Sequence, residues 1–170
     1  AKEPPQKAAR GVILRDKRVR QPSWRRSFLA PTLQWGDKTH VYPLEILSDI
    51  LGGGASSRLY QRLVVETKTA ISSGAYYSGD YRGPGRFVFF ASPRGNVSMD
   101  DLEKAVETEI TDIIENGITV EEVRRAKERI IAEAVYARDS LSGGARTLGA
   151  ALASGLSIND VESWPDSIAA

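Results

Sequence analysis

The chain has 170 residues and a formal net charge of +1, with no cysteine and a single histidine, His40. A chain of this length can bury roughly two-thirds of its unfolded surface in one core, so it does not need disulfides or a structural metal to fold. Without cysteine, the chain cannot contain disulfides, thiolate metal sites or a cysteine nucleophile. A single histidine also excludes the usual ligand sets of catalytic zinc.

Charge is distributed unevenly along the chain. The first 26 residues hold nine Lys or Arg against two acidic residues, a local charge of +7, and the remaining 14 basic and 20 acidic residues give −6. A basic arm can bind the phosphates of nucleic acid or anionic lipid, but two consecutive prolines and the absence of an apolar face favour a linker. We therefore interpret residues 1–22 as an extended lead-in and residues 23–170 as a single α+β domain.

The start without Met and the end within a helical pattern lead us to expect a piece of a longer protein, truncated at its C-terminal helices. No stretch is long enough to span a membrane. The sequence does not indicate a compartment, periplasm or cytoplasm, because any leader would lie upstream.

Hydrophobic periodicity and turn residues predict strands and helices in a mixed order. Strands are predicted at residues 24–30, 71–81 and 86–92, and helices at 39–51, 57–65, 98–116, 119–137, 145–154 and from 157 onward, with a break at 140–144. Residues 86–92 are apolar on both faces, which predicts the central strand of a sheet. The order indicates an α+β fold, an antiparallel sheet with helices packed on one face.

Three glycines separate the first two predicted helices: Gly52, Gly53 and Gly54. Backbone N–H groups at a helix start could hold an anion or a peptide carboxylate. More commonly, such glycines end a helix through a left-handed C-cap, and here Ser56 or Ser57 would cap the next helix. A phosphate loop is excluded, because its second glycine must be followed by Lys and then Ser or Thr. We interpret the segment as a structural hinge.

Other candidates for chemistry have simple structural alternatives. The serines lack the Gly-x-Ser-x-Gly turn of a hydrolase nucleophile, and His40 has no clear acidic partner to make it a base. Tyr76, Tyr77 and Tyr81 lie near Arg82 and Arg86 in the sequence and could line a peptide or nucleic-acid groove. More often, such tyrosines are half-buried in a sheet with only the hydroxyl in water.

Three segments carry a resemblance to a known family. Residues 47–63 read Leu-Ser-Asp-Ile-Leu-Gly-Gly-Gly-Ala-Ser-Ser-Arg-Leu-Tyr-Gln-Arg-Leu, residues 85–93 read Gly-Arg-Phe-Val-Phe-Phe-Ala-Ser-Pro, and residues 124–129 read Arg-Arg-Ala-Lys-Glu-Arg. Over residues 10–170 the chain resembles the pitrilysin-like zinc peptidases, which include insulysin and the mitochondrial processing peptidase. The similarity is greatest to the C-terminal, inactive domain of small bacterial two-subunit members.

The resemblance implies a processing-peptidase-like (LuxS/metallohydrolase-like) half-domain in a clam-shell that cleaves peptides within a chamber. The family's zinc site, an inverted His-x-x-Glu-His motif with a distal Glu, would lie in an upstream domain, so this fragment should contain no cofactor. The implied partners are an N-terminal zinc domain of the same chain, a homologous partner subunit and an unfolded peptide substrate. Candidate chamber-lining residues are Tyr76, Tyr77 and Arg58.

The family's substrate-contacting Arg and Tyr are replaced in this sequence. Aligned without gaps from Ser57, the Arg falls on Val64 and the Tyr falls on Ile71. An apolar residue at each position removes a charge and a hydroxyl that could stabilise an oxyanion. In two-subunit members, the resemblance implies that the homologous partner subunit carries this pair.

These observations together predict a non-catalytic C-terminal domain of a zinc metallopeptidase subunit. It would form part of the chamber wall and the subunit interface, and would support proteolysis carried out by the upstream zinc domain. The alternatives are a catalytically inactive scaffold subunit, or a binding module for peptide or nucleic acid with no peptidase role. We expect neither a nucleic-acid partner nor a membrane span.

Overall fold

The computed structural model describes residues 8–137 and 141–170. Its sheet is three-stranded and antiparallel, with the order β1-β3-β2. The strands are β1 (Trp24–Ala30), β2 (Ala70–Ser78) and β3 (Gly85–Pro93). The apolar strand β3 is central, as predicted, because both of its faces can be covered by neighbouring side chains.

The helices are α1 (Val41–Gly52), α2 (Arg58–Tyr60), α3 (Met99–Asn116), α4 (Val120–Ala137), α5 (Leu141–Ser154), α6 (Ile158–Glu162) and α7 (Trp164–Ala169). A 3-10 turn at Lys38–His40 precedes α1. Helix α2 continues as a π-helical segment over Gln61–Glu66, in which the Thr67 N–H donates to the Arg62 carbonyl at 2.9 Å. Spacing of apolar residues predicts a helix there but does not reveal its wider turn.

Two predicted boundaries were wrong. Strand β2 ends at Ser78 rather than at residue 81, and Tyr81 is 53% exposed in the following turn. The predicted break at residues 140–144 is also misplaced: residue 140 lies outside the described residues, but 141–144 belong to α5. Gly144 has open space where a Cβ would be placed and is tolerated within the helix.

Helices cover one face of the sheet only. The contiguous core contains Phe87, Phe89 and Ala91 of β3 together with side chains from α1, α3, α4 and α7. The alternate residues Val88 and Phe90 are not part of that core. Because successive side chains of a strand point to opposite faces, the helices occupy one side, which confirms the predicted α+β arrangement.

Side-chain caps begin three of the helices. The Ser98 hydroxyl accepts from the Asp101 N–H at 3.1 Å at the start of α3. Thr119 and Glu122 form a reciprocal capping box before α4, with the Glu122 N–H donating to the Thr119 hydroxyl at 3.2 Å. Ser157 does the same with Asp160 before α6. Such caps satisfy backbone N–H groups that a helix leaves without partners.

Residues 8–22 form neither helix nor strand. Val12, Ile13 and Leu14 within this segment are 79% to 90% exposed, and the Gln21 amide donates to the Pro93 carbonyl at 3.3 Å. The boundary between lead-in and domain at residue 22 stays a prediction. Among the described residues, none of the helices has the length and apolar character needed to span a bilayer.

Candidate functional site: the glycine hinge and the open face of the sheet

Helix α1 ends against the edge of the sheet at Gly52. A Cβ placed on this residue would overlap both the backbone N and the backbone O of Ala75 in β2. The N–H and C=O of one strand residue point to the same edge, and the other edge of β2 is paired with β3. Gly52 therefore lies in the plane of the sheet beside β2, and only glycine permits this approach.

The left-handed residue of the hinge is Gly54. Its φ is +93°, whereas Gly53 has φ −74° and donates its N–H to the Asp49 carbonyl at 2.7 Å. The predicted left-handed C-cap therefore exists, but at the third glycine. A side chain at Gly53 would still be costly, because its Cβ would overlap Asp49.

The predicted side-chain cap by Ser56 or Ser57 was wrong. Ser57 occupies the N-cap position of α2 with extended backbone, but its hydroxyl makes no capping bond. That hydroxyl is buried and has no hydrogen-bond partner among the described residues, and Ser56 is exposed. The backbone closes the turn instead, since the Ser57 N–H donates to the Gly54 carbonyl at 3.1 Å.

Arg58 binds acidic groups within the domain. Its Nε donates to one carboxylate oxygen of Glu122 and its Nη2 to the other at 2.8 Å, with Asp112 3.9 Å from Nη1. Hydrogen bonding from Arg58 lowers the pKa of Glu122 to about 2. This bidentate ion pair connects Arg58, directly after the hinge, to the first turn of α4. A chamber-lining role for Arg58 stays a prediction, and a substrate carboxylate would have to displace Glu122.

Tyr76 and Tyr77 point to opposite faces of β2. The Tyr77 hydroxyl donates to the Pro31 carbonyl on the helix-covered side, and burial raises the pKa of Tyr77 to about 12, with Glu45 and Asp80 adding to the shift. Tyr76 is 41% exposed on the other side, with its ring centroid 6.3 Å from that of Phe90. Only Tyr76 is therefore placed to meet a ligand on the uncovered face.

We call that uncovered surface the open face. Cross-strand register brings its members together in three rows: Arg25 with Phe90 and Gly74, Ser27 with Val88 and Tyr76, and Leu29 with Arg86 and Ser78. Leu29 is 54% exposed, while Val88, at the centre, is 4% exposed. The surface combines aliphatic, aromatic and cationic side chains without a carboxylate.

Sequence reasoning noted Arg86 near the tyrosines but missed Arg25 as a candidate binding residue. Both are exposed, and neither takes part in an ion pair among the described residues. Arg26, on the helix-covered side, instead binds Glu103 at 2.9 Å and Glu107 at 2.7 Å. The alternation of side chains along β1 is the sequence signal that could have assigned Arg25 and Arg26 to opposite faces of the sheet.

The two positions at which the ungapped alignment predicts the family's substrate-contacting pair have different surroundings. Val64, on the π-helical segment, is 9% exposed and belongs to the core. Ile71 is 45% exposed at an irregularity between Ala70 and Ser72, where β2 begins to pair with β3. The Val64 side chain is packed in the core, whereas the Ile71 side chain is exposed to solvent.

The described residues of this domain do not fit a catalytic zinc ion. His40 Nε2 lies 3.6 Å from the Asp37 carboxylate, and both side chains are exposed. In residues 8–137 and 141–170, no group of three or more His, Cys, Asp or Glu could hold a metal. No step of metal chemistry is therefore assigned to this chain.

Comparisons with known proteins agree with this arrangement. The family described as "Peptidase M16 inactive domain" matches residues 1–130. An uncharacterized zinc protease of Rickettsia felis is 31% identical over 109 residues, covering 64% of this chain and 26% of the relative. The uncharacterized zinc protease YmxG of Bacillus subtilis is 28% identical over 90 residues, covering 53% of this chain and 22% of the relative. The chain thus corresponds to about a quarter of the length of these relatives.

Solved structures show the same fold. A protease from Helicobacter pylori superposes with a TM-score of 0.78 at 20% identity, covering 90% of this chain and 36% of that one. A peptidase M16 inactive domain from Pseudomonas fluorescens gives 0.67 at 17% identity, covering 86% and 34%. From the family match over most of its length, this chain belongs to the inactive domains of the M16, or pitrilysin-like, peptidase family.

Proposed function

We propose that this domain is a non-catalytic part of a zinc metallopeptidase subunit, in which it forms part of a chamber wall and a subunit interface. Peptide cleavage would be carried out by an upstream zinc domain of the parent protein. The observation that carries the proposal is the match of residues 1–130 to an inactive peptidase domain. The predicted replacement of the family's substrate-contacting pair by Val64, which is packed in the core, and Ile71 supports it. The zinc-protease names of the relatives support a peptidase parent.

The test of catalytic role is a reconstitution with peptide hydrolysis as the readout. The 170-residue chain alone, the zinc-bearing domain of the parent alone, and the two together are each assayed with zinc present. We expect hydrolysis that chelators abolish only when the zinc-bearing domain is present, and we expect this chain to increase it. Chelator-sensitive hydrolysis by this chain alone would overturn the proposal, as would a zinc-bearing domain unaffected by its addition.

Apolar groups around the turn between α3 and α4 support a subunit interface. Ile114 and Val120 are 77% and 87% exposed. Beside them, Ile118 and residues of α1 line an apolar surface pocket of about 420 Å³. Clusters of exposed apolar groups commonly mark protein-binding surfaces.

The interface can be tested with the homologous partner subunit. Val120→Asp should weaken co-purification with that subunit, because it places a charge in an apolar contact. Val135→Asp is the matched control, since Val135 is 58% exposed on α4 away from this turn. Equal co-purification of both variants would remove the α3–α4 turn from the interface.

A further inference from the structure

The open face of the sheet presents apolar and cationic side chains side by side. Its exposed apolar residues Leu29 and Tyr76 flank Val88, and the Phe90 ring lies over Gly74, where a Cβ would be 2.9 Å from the ring. Within the part of the chain that the structure describes, no helix contributes a core residue on this side. The apolar groups presented on this side are therefore Leu29 and Tyr76, with the partly buried Phe90 ring beside Tyr76.

Two guanidinium groups stand at opposite ends of this surface. Arg25 pairs with Phe90 across the strands, and Arg86 lies four residues before Phe90 on β3. At about 3.3 Å per residue, the two rows are about 13 Å apart. Neither arginine has an acidic partner within the described residues, so both charges are available to a ligand.

An extended peptide offers the complementary spacing. Side chains at positions i, i+2 and i+4 of a β-strand point to one side, and positions i and i+4 are also about 13 Å apart. Two carboxylates at those positions would reach Arg25 and Arg86. An apolar side chain at i+2 would then lie over the row formed by Val88 and Tyr76.

We propose that the open face binds extended peptide segments with the pattern acid-x-apolar-x-acid. This rests on the proposed function, because a chamber wall would meet unfolded peptide substrate. It deepens that function by assigning a substrate class and by giving the face a role in positioning peptide. Tyr76 would supply stacking and apolar contact, and the arginines would supply charge and register.

The test measures binding of three labelled peptides to the 170-residue chain by fluorescence anisotropy. The probe is acetyl-Glu-Ser-Phe-Ser-Glu-amide. Its matched controls are Ser-Glu-Phe-Glu-Ser, which has the same composition but carboxylates about 7 Å apart, and Lys-Ser-Phe-Ser-Lys, which has the opposite charge. We expect the probe to bind most tightly, with an affinity that falls as salt is raised.

Variants identify the surface. Arg25→Ala and Arg86→Ala should each weaken binding of the probe about two- to fivefold, as expected for exposed ion pairs. Tyr76→Ala should weaken it further. Arg146→Ala removes the same charge from α5, which packs on α6, and should leave the affinity unchanged. Equal affinity for the three peptides, or wild-type affinity of both open-face arginine variants, would overturn the proposal.

A second copy of the chain is the competing occupant. Sedimentation of the unliganded chain at the same concentration measures its oligomeric state. A dimer that Arg25→Ala dissociates would overturn the assignment of the open face to peptide binding. A monomer leaves the face available, as the proposal requires. Because these measurements need no zinc domain, failure of peptide binding is distinguishable from failure of the reconstitution assay.

Discussion

Neighbouring residues on the same strand of this sheet have opposite surroundings. Arg26 binds two glutamates of α3, whereas Arg25 has no ion pair among the described residues. Tyr77 donates to a backbone carbonyl beneath the helices, whereas Tyr76 is 41% exposed. The comparison teaches that one face of the sheet uses its polar and aromatic groups for contacts within the domain, and the other leaves the same residue types exposed.

Substitution in the hinge should cause the largest loss of stability, because the hinge allows the end of α1 to approach β2 closely. Gly52→Val places side-chain atoms where the Ala75 backbone lies. We expect a loss of about 4 kcal/mol or more in the free energy of unfolding, measured by urea titration. Gly144→Ala is the control, since open space surrounds it in α5 and it should stabilise by up to about 1 kcal/mol. An unchanged urea midpoint for Gly52→Val would contradict the close approach.

Paired aromatic substitutions compare the two faces directly. Phe89→Ala removes a ring that is 7% exposed and lies 5.3 Å from the Phe87 ring, so it should cost about 3–5 kcal/mol. Phe90→Ala, on the open face, should cost about 1–2 kcal/mol, because its ring is only partly buried. Urea unfolding of both variants gives the difference. Similar losses would show that the two faces are packed alike.

The contact between Arg58 and Glu122 predicts a pH dependence. The pKa of Glu122 is lowered to about 2 in the fold, so its stabilising contribution is present above the unfolded pKa near 4.5 and is lost as pH falls toward 2. Arg58→Met should lower the free energy of unfolding by about 1–2 kcal/mol at pH 7.

The same substitution should flatten the decline in stability between pH 4.5 and 2, as measured by urea unfolding at several pH values. Arg146→Met, on α5, serves as the control for loss of a positive charge. Parallel pH curves for wild type and Arg58→Met would show that the ion pair does not contribute in solution.

Substitution of the two tyrosines should give the smallest changes in stability, but the difference between them identifies the two faces of the sheet most directly. Tyr77→Phe removes the hydrogen bond to the Pro31 carbonyl and should cost about 1 kcal/mol, whereas Tyr76→Phe should change stability by less than about 0.5 kcal/mol. In an ultraviolet titration, Tyr77 should ionise near pH 12, and this step should vanish only in Tyr77→Phe. The stability that depends on its neutral hydroxyl is present below about pH 10 and is lost as pH rises toward 12. Loss of the late step in Tyr76→Phe would reverse the assignment of faces.

Part of the candidate site followed from sequence reasoning. The glycine hinge and a left-handed residue within it agree with local rules for turns. The pairing of Arg58 with Glu122, 64 residues away, does not follow from such rules. Nor does the burial of the Ser57 hydroxyl, because helix caps are recognised by spacing and not by what packs over them.

The sequence by itself determined the local elements of this protein. The spacing of Thr119 and Glu122 specifies a capping box, and the apolar run of β3 specifies a central strand, because both depend on residues close together in the chain. Only the tertiary structure decided which strand face the helices cover and why Gly52 must be glycine. Both depend on contacts between segments far apart in sequence, and these contacts separate Tyr77 in the protein interior from Tyr76 on the open face.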